Sequence, residues 1–441
     1  MARGFIATVG TGTRPDADIT QPLTFSVQGS NPEMAVFLVT AQSEPHALEV
    51  VRRTGLPAVR WRVVRLEHMD DLNHVFHVAV EEIGRLMADG FAAGQIEVDY
   101  TTGTKSMSAG LALAAVATRC GSLKYVTGRR EHGIVIPGTE TVHSMRPGEV
   151  TAFLELGRVH SLLRDLRFDA ALDVWRGVEP RLLDAARAEE LRGLEKVIRG
   201  YERWDRFDHI AAVELFSQVE FGERWDADYR LPREMLERLR KLGSVRKYGS
   251  ITEDLVADLA NNAWRRWREG RYDDAVARLY RLMEALAQRE LRERHGIRAA
   301  DVKLEQVPQD LHAKLEGYRS ERDGRIRIGL AACYWLLGEL ELRSAPRGEV
   351  AEGGDAWQGG LGAAFAGSDR LPKLLEARNG SILAHGLSPV GKDECENLFV
   401  EAMALGRLSV PDLDARRHDL QFPWLRGRPD PIPVEEGSSG E

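Results

Sequence analysis

The chain changes its pattern once, near Gly148, and that change limits the folds open to it. Before it, short apolar runs alternate with segments of helical spacing. Phe5–Val9, Ala35–Thr40, Trp61–Leu66, Ile96–Tyr100 and Leu123–Thr127 read as strands, and Gly133–Pro137 closes the series. Ala35–Thr40 (AVFLVT) is apolar without a break, as in a strand buried on both faces. Leu72–Asp89 and the small-residue stretch Ser106–Thr118 carry helical spacing. Strands alternating with helices predict a mostly parallel sheet covered on both sides. After about Val150 the strand signal fades, and Leu, Ala, Arg and Glu recur with a 3.6-residue period. The expected fold class is therefore α/β plus all-α. A sheet domain spans 1–149, a helical linker 150–250 and a second helical domain 251–425, and the proline-containing stretch 426–441 reads as a disordered tail.

Three segments of the helical half echo one another: Phe168–Trp175, Phe207–Phe216 and Tyr272–Tyr280, each opening on an aromatic–Asp pair. The intervals between them are unequal, which predicts helical hairpins rather than a repeat array. Ser344–Asp369, rich in Gly and Ala, reads as a loop between helices.

At 441 residues the chain exceeds one ordinary core. Its longest apolar stretches, such as Ala109–Thr118 and Ile328–Leu337, fall short of the roughly 20 residues a membrane span needs. The N-terminus lacks a signal-peptide layout, and Cys120, Cys333 and Cys395 are scattered, with neither disulfide nor zinc spacing. These features point to the cytoplasm. A net charge of −8 argues against a broad basic face for nucleic acid, so any RNA contact must be local.

Two loops at strand ends are rich in Thr and Gly: Gly10-Thr11-Gly12-Thr13, and Thr101-Thr102-Gly103-Thr104-Lys105 before a helix. Glycine lets backbone approach a phosphate, a helix start offers free N–H groups, and Thr and Lys add donors and charge. Lys105-Ser106 has the end of a Walker A loop but neither of its required glycines, so NTP hydrolysis is not indicated, and no Gly-x-Gly-x-x-Gly supports a dinucleotide. The alternative is that both loops only make tight turns.

Near the C-terminus stands Arg378-Asn379-Gly-Ser-Ile-Leu-Ala-His385-Gly386. Seven residues are about two helical turns, so Arg378 and His385 share a face if the helix continues through Gly380. Imidazole titrates near neutrality and can move protons at a ribose hydroxyl, while guanidinium can hold the phosphate. Asn379 could orient either. Arg then His at similar spacing also occurs at Arg62/His68, Arg203/His209 and Arg289/His295, without the following Asn or the Ala-His-Gly ending. The alternative for Arg378 and His385 is a surface Arg and a His complementing a helix end.

VDYTTGTKSMSAGL (Val98–Leu111), ATVGTGT (Ala7–Thr13) and RNGSILAHG (Arg378–Gly386), taken together, resemble the CARF–HEPN ribonucleases of type III CRISPR systems. The resemblance implies a Rossmann-like CARF sheet, a helical linker and a C-terminal helical HEPN domain. It implies a homodimer that cuts single-stranded RNA without a metal or other cofactor, leaving a 2′,3′-cyclic phosphate, when a cyclic oligoadenylate binds. A tetra-adenylate ring is the expected activator. Gly10, Thr11, Gly12, Thr13, Thr102, Gly103, Thr104 and Lys105 would line the ligand pocket, and Arg378, Asn379 and His385 the nuclease site. Two other readings stay open: a sensor without enzymatic activity, and a DNA-binding regulator using the basic stretch Arg238–Lys247.

Overall fold

The computed structural model describes residues 3–12, 18–131, 134–136, 138–220, 229–248, 250–344, 360–379 and 386–431. It forms two compact units, Met1–Ser161 with Asp173–Leu191, and Leu162–Leu172 with Arg192–Glu441. The first is built on strands β1 (Gly4–Thr8), β2 (Met34–Val39), β3 (Trp61–Arg65), β4 (Ile96–Asp99), β5 (Ser122–Thr127), β6 (Arg130–Glu131), β7 (Ile134–Val135) and β8 (Thr141–Met145). The main sheet runs β3-β2-β1-β4-β5-β8. Its first five strands are parallel, and β8 pairs antiparallel with β5.

Alternation along the central strands explains their unbroken apolar runs. Phe5, Ala7, Ala35, Phe37 and Val39 pack with Leu23 and Val27 of helix α1 (Thr20–Ser30) and Ala47 and Val50 of α2 (Glu44–Thr54). Ile6, Val36 and Leu38 point the other way, toward α3 (Leu72–Ala88) and α4 (Lys105–Ala117). Each large side chain buried this way contributes about 1.5–3 kcal/mol relative to exposure. The small residues of α4 let it approach α3 closely: a Cβ on Gly110 would stand 2.9 Å from the Val75 side chain.

The expected α/β half is present, with two differences. Ile134–Val135, within the stretch read as the closing strand, joins Arg130–Glu131 in a separate two-stranded hairpin. The edge place falls instead to Thr141–Met145, whose five residues are all exposed and so carry no apolar alternation. Helix α1 is equally hidden in the sequence, because its buried face mixes Thr20, Thr24, Ser26 and Ser30 with Leu23 and Val27.

The remaining helices are α5 (Pro147–Arg164), α6 (Phe168–Gly177), α7 (Ala185–Asp205), α8 (His209–Phe216), α9 (Arg233–Tyr248), α10 (Glu253–Arg268), α11 (Tyr272–His295), α12 (His312–Glu316), α13 (Leu330–Ser344), α14 (Leu361–Ala366), α15 (Leu371–Asn379), α16 (Lys392–Ser409) and α17 (Leu413–Asp419). The sequence echo is real but shifted in register. Phe168, His209 and Tyr272 each open a helix, and Ala171, Ala212 and Ala275, three residues on, are all fully buried. Phe207 is not the equivalent aromatic; with φ +61° it is the left-handed turn residue that ends α7. Part of the expected Gly/Ala loop is helical too: the Glu341 carboxylate accepts the backbone N–H groups of Gly362 and Ala363, each at 3.0 Å, and so anchors the start of α14. No described helix is long and apolar enough to cross a membrane.

Helix α10 is buried from Val256 through Arg266, polar residues included. Asp258 accepts from Trp204 Nε1 at 2.9 Å and bonds His209 Nε2 at 2.8 Å. Asp205 accepts from Arg265 Nε at 2.7 Å, from Arg266 and from Asn262. The Arg265 guanidinium lies 4.2 Å from the Phe422 ring centre. Removing one member of such a network strands the others in low dielectric. Asp258→Ala is therefore expected to lower stability by about 3–5 kcal/mol, read by denaturant unfolding on tryptophan fluorescence. A loss under about 1 kcal/mol would show that the network does not hold these helices.

Candidate functional site

Strand order sets the first site. The chain leaves β1 toward β2 on one side and returns through β4 on the other, so the crevice beyond the carboxyl ends of β1 and β4 is the switch point of the sheet. The two Thr/Gly loops are the ones that border it. Thr102 Oγ1 donates to the Thr8 carbonyl at 2.6 Å, and Thr8 Oγ1 donates to the Thr102 carbonyl in return. The backbones nearly touch: a Cβ on Gly10 would lie 2.6 Å from Gly103 N, and Gly103 itself has φ +113°. Gly10 is half-buried, Thr11 and Gly12 are exposed, and Thr13 lies outside the described residues. Thr102 and Thr104 are half-buried, and Gly103 and Lys105 exposed.

Thr104 caps α4, its hydroxyl accepting from Met107 N at 3.2 Å and donating to the Met69 carbonyl at 3.2 Å. Lys105 is the first residue of α4, so its charge stands at a helix end that already favours anions. The structure thus brings Gly10, Thr102 and Gly103 into contact and sets Lys105 at the mouth of the same loop.

Two further residues support this corner, and neither stands out in the sequence. His46, from the first turn of α2, bonds the Gly10 carbonyl through Nδ1 at 3.2 Å, so that nitrogen carries the proton. Asp99, fully buried at the end of β4, accepts from Thr101 N at 2.8 Å. Burial pushes its carboxyl up, with the neighbouring Ser26 hydroxyl and the Thr101 hydrogen bond working against that rise. Its Oδ2 has no hydrogen-bond partner by geometry among the described residues. Asp99 lies inside the VDYTTGTK stretch, but its burial was not legible there.

A carboxyl whose folded value is raised stabilises the fold most below its ordinary range, and that contribution is lost as pH rises through the folded value. Asp99→Asn should therefore raise the stability of the first unit at pH 7 and flatten its dependence between pH 4 and 8. Amide exchange of β4 reads both effects, and lower protection in the variant at pH 7 would refute the assignment.

The second stretch lies in the helical unit. Ser368 Oγ accepts from Leu371 N at 3.2 Å and donates to Glu401 of α16 at 3.1 Å, fixing the start of α15. From there α15 packs on α11 and α16. Arg378 and Asn379 are its last two residues. Their side chains, and residues 380–385 with His385, lie outside the described residues, as does the continuation of the helix through Gly380.

The three other Arg…His spacings are absorbed by structure. Arg62 pairs with Glu82 and Asp89, His209 is buried on Asp258, and Arg289 binds Glu253 and Ser409. On the basic stretch of α9, Arg238 is held by Asp254 and Asp419. Burial pushes the thiols of Cys333 and Cys395 up to about 12 and that of Cys120 to about 11, which makes them poor nucleophiles. Among the described residues no group of three or more His, Cys, Asp or Glu side chains could hold a metal ion.

Two family descriptions match the chain: the Csm6 6H domain over residues 152–246 and the Csm6 HEPN domain over 244–409. Among solved structures, Enterococcus italicus Csm6 bound to cyclic hexa-2'-fluoro-hexa-dAMP has the same fold, with a TM-score of 0.56 at 12% identity over 95% of this chain and 98% of that one. No curated protein matches the sequence. A sheet unit with a crevice at its switch point, followed by HEPN helices, is the architecture of a CARF–HEPN protein. Within that class the chain belongs to the Csm6-type CRISPR ribonucleases.

Proposed function

We propose that this protein is a cytoplasmic endoribonuclease of type III CRISPR defence, switched on by a cyclic oligoadenylate and acting on single-stranded RNA. Residues 1–149 sense the ring, 150–250 link, and 251–425 cut. The observation that carries the reading is that the HEPN match encloses Arg378–Gly386, in a chain whose other loops of the same resemblance border the switch point of its sheet.

In this reading Gly10–Thr13 and Thr102–Lys105 receive phosphates and sugar edges of the ring. Backbone N–H groups at the start of α4 and the Lys105 ammonium complement the negative charge. Two copies of the chain bring two such loops and two RNGSILAHG stretches together, so a composite nuclease site holds two of each residue. One His385 accepts the proton of the 2′-hydroxyl as its oxygen attacks the adjacent phosphorus. Arg378 stabilises the charge gathering on the phosphoryl oxygens, Asn379 orients the phosphate, and a protonated imidazole delivers a proton to the departing 5′-oxygen. The products are a 2′,3′-cyclic phosphate and a 5′-hydroxyl, and the scheme calls for no metal.

The ring is proposed to be the tetra-adenylate. The six-nucleotide cyclic analogue held by the Enterococcus italicus protein favours a second reading, hexa-adenylate. Cleavage of a fluorogenic single-stranded RNA in EDTA, with cyclic tri-, tetra- and hexa-adenylate added separately, tests both. Cleavage with one ring names the activator. Silence with all three would leave a non-enzymatic sensor as the better description.

A further inference from the structure

A cavity of about 320 Å³ opens in the second unit where α10 and α17 meet the segment that follows α17. Its wall holds Arg407, Arg417, Arg426 and Arg428 against two carboxylates, Asp414 and Asp430, with His418 beside them. Both carboxylates are already engaged. Asp430 takes Nη1 and Nη2 of Arg417, each at 2.7 Å, and Asp414 takes Arg407 at 2.8 and 3.2 Å.

Two donors remain. Arg417, its side chain 9% exposed, has a buried Nε with no partner among the described residues. The buried Nε of Arg426 is in the same condition, although its Nη2 donates to the Asp419 carbonyl at 3.0 Å. Neither Nε is open to the cavity, but Arg426, unlike Arg417, has no carboxylate partner among the described residues, so its charge is left unanswered in the wall.

The rim adds charge of the same sign. Arg428 is exposed and has no carboxylate partner among the described residues. Its neighbour Arg268 is held below its ordinary value first by burial and then by the Arg428 charge, with Asp165 offsetting in part. Such crowding of like charges, in a chain of net charge −8, is relieved by an anion.

We propose that this cavity is a phosphate-binding site, taking the phosphate of a free nucleotide or a phosphodiester of an RNA strand on Arg426 and Arg428. Guanidinium groups approaching from several directions suit a tetrahedral anion. The volume is at the small end of ligand pockets, enough for one nucleotide. None of the lining residues lies on α15, and the inference does not rest on the nuclease reading.

The test uses the full chain, with Arg428→Glu and Arg426→Met as variants. Thermal unfolding is followed with AMP and with inorganic phosphate against sodium chloride at matched ionic strength. Anisotropy of a fluorescein-labelled single-stranded RNA is followed against salt. The expected results are a rise in midpoint with AMP or phosphate that both variants lose, or RNA binding weakened at least about fivefold with the salt slope reduced by about 0.7 for each lost phosphate contact.

A change in the first arm alone assigns a free nucleotide, and a change in the second assigns the strand. The proposal is overturned if AMP and phosphate act no differently from chloride while both variants bind RNA with the wild-type affinity and slope. Unfolding of each variant without ligand checks its fold, and wild-type RNA cleavage, scored separately, tests the nuclease reading by itself.

Discussion

His385→Ala is expected to slow ring-activated RNA cleavage by at least about a thousandfold while leaving ring binding intact. Positioned acid–base catalysis contributes about 10²–10⁴-fold, and in the proposed two-fold composite site one substitution removes both imidazoles. Arg378→Ala should match it, because charge builds on the phosphoryl oxygens whichever way the protons move. The pH–rate profile supplies a second readout. One imidazole must be neutral and the other protonated, so the wild-type profile should be bell-shaped with its limbs around the ordinary imidazole range near pH 6.5. The measurement is kcat/KM on fluorogenic RNA with the ring saturating. A variant that keeps more than a tenth of the wild-type value would remove His385 from the chemistry.

Gly10→Ala should cost about a hundredfold or more in ring affinity, the second large effect. Its Cβ would meet backbone rather than a side chain, 2.6 Å from Gly103 N and 2.9 Å from Gly103 Cα, so no rotamer change relieves the contact. The loops after β1 and β4 would have to part, and the Thr8–Thr102 hydrogen bonds would go with them. A displacement of about 1 Å suffices to spoil convergent hydrogen bonds. Isothermal titration with the activating ring reads the loss, and denaturant unfolding of the helical unit should be unchanged. Wild-type affinity in this variant would show that the ring sits elsewhere on the sheet.

The parallel strands are legible in the sequence because burial on both faces demands unbroken apolar runs, as at Ala35–Thr40. β8 is not, since an exposed edge strand needs no such pattern, and α1 is not, since hydroxyl side chains make four of the six residues of its buried face. The same limit hides α10: Asp258, Asn262, Arg265 and Arg266 are polar, and it is their partners on α7 and α8, with Gln421 and Phe422 against Arg265, that make them core. For the crevice at the switch point, the loops themselves stand out by their Thr and Gly content. Their supports do not, because Thr8, His46 and Asp99 become neighbours only through the strand order. The RNGSILAHG stretch is legible by resemblance, and the placement of its side chains lies outside the described residues.

The polar core of α10 bears on how such proteins can be recombined, in evolution or at the bench. One family description ends at residue 246 and the next begins at 244, which invites a crossover there. Yet Asp205 and His209 on the upstream side are bonded to Arg265 and Asp258 downstream. A hybrid taking the two sides from different parents inherits a buried charge on one without its counterpart on the other. Viable hybrids should therefore carry α7, α8 and α10 from a single parent, and a crossover at residue 250 should give an insoluble product even when each parent folds.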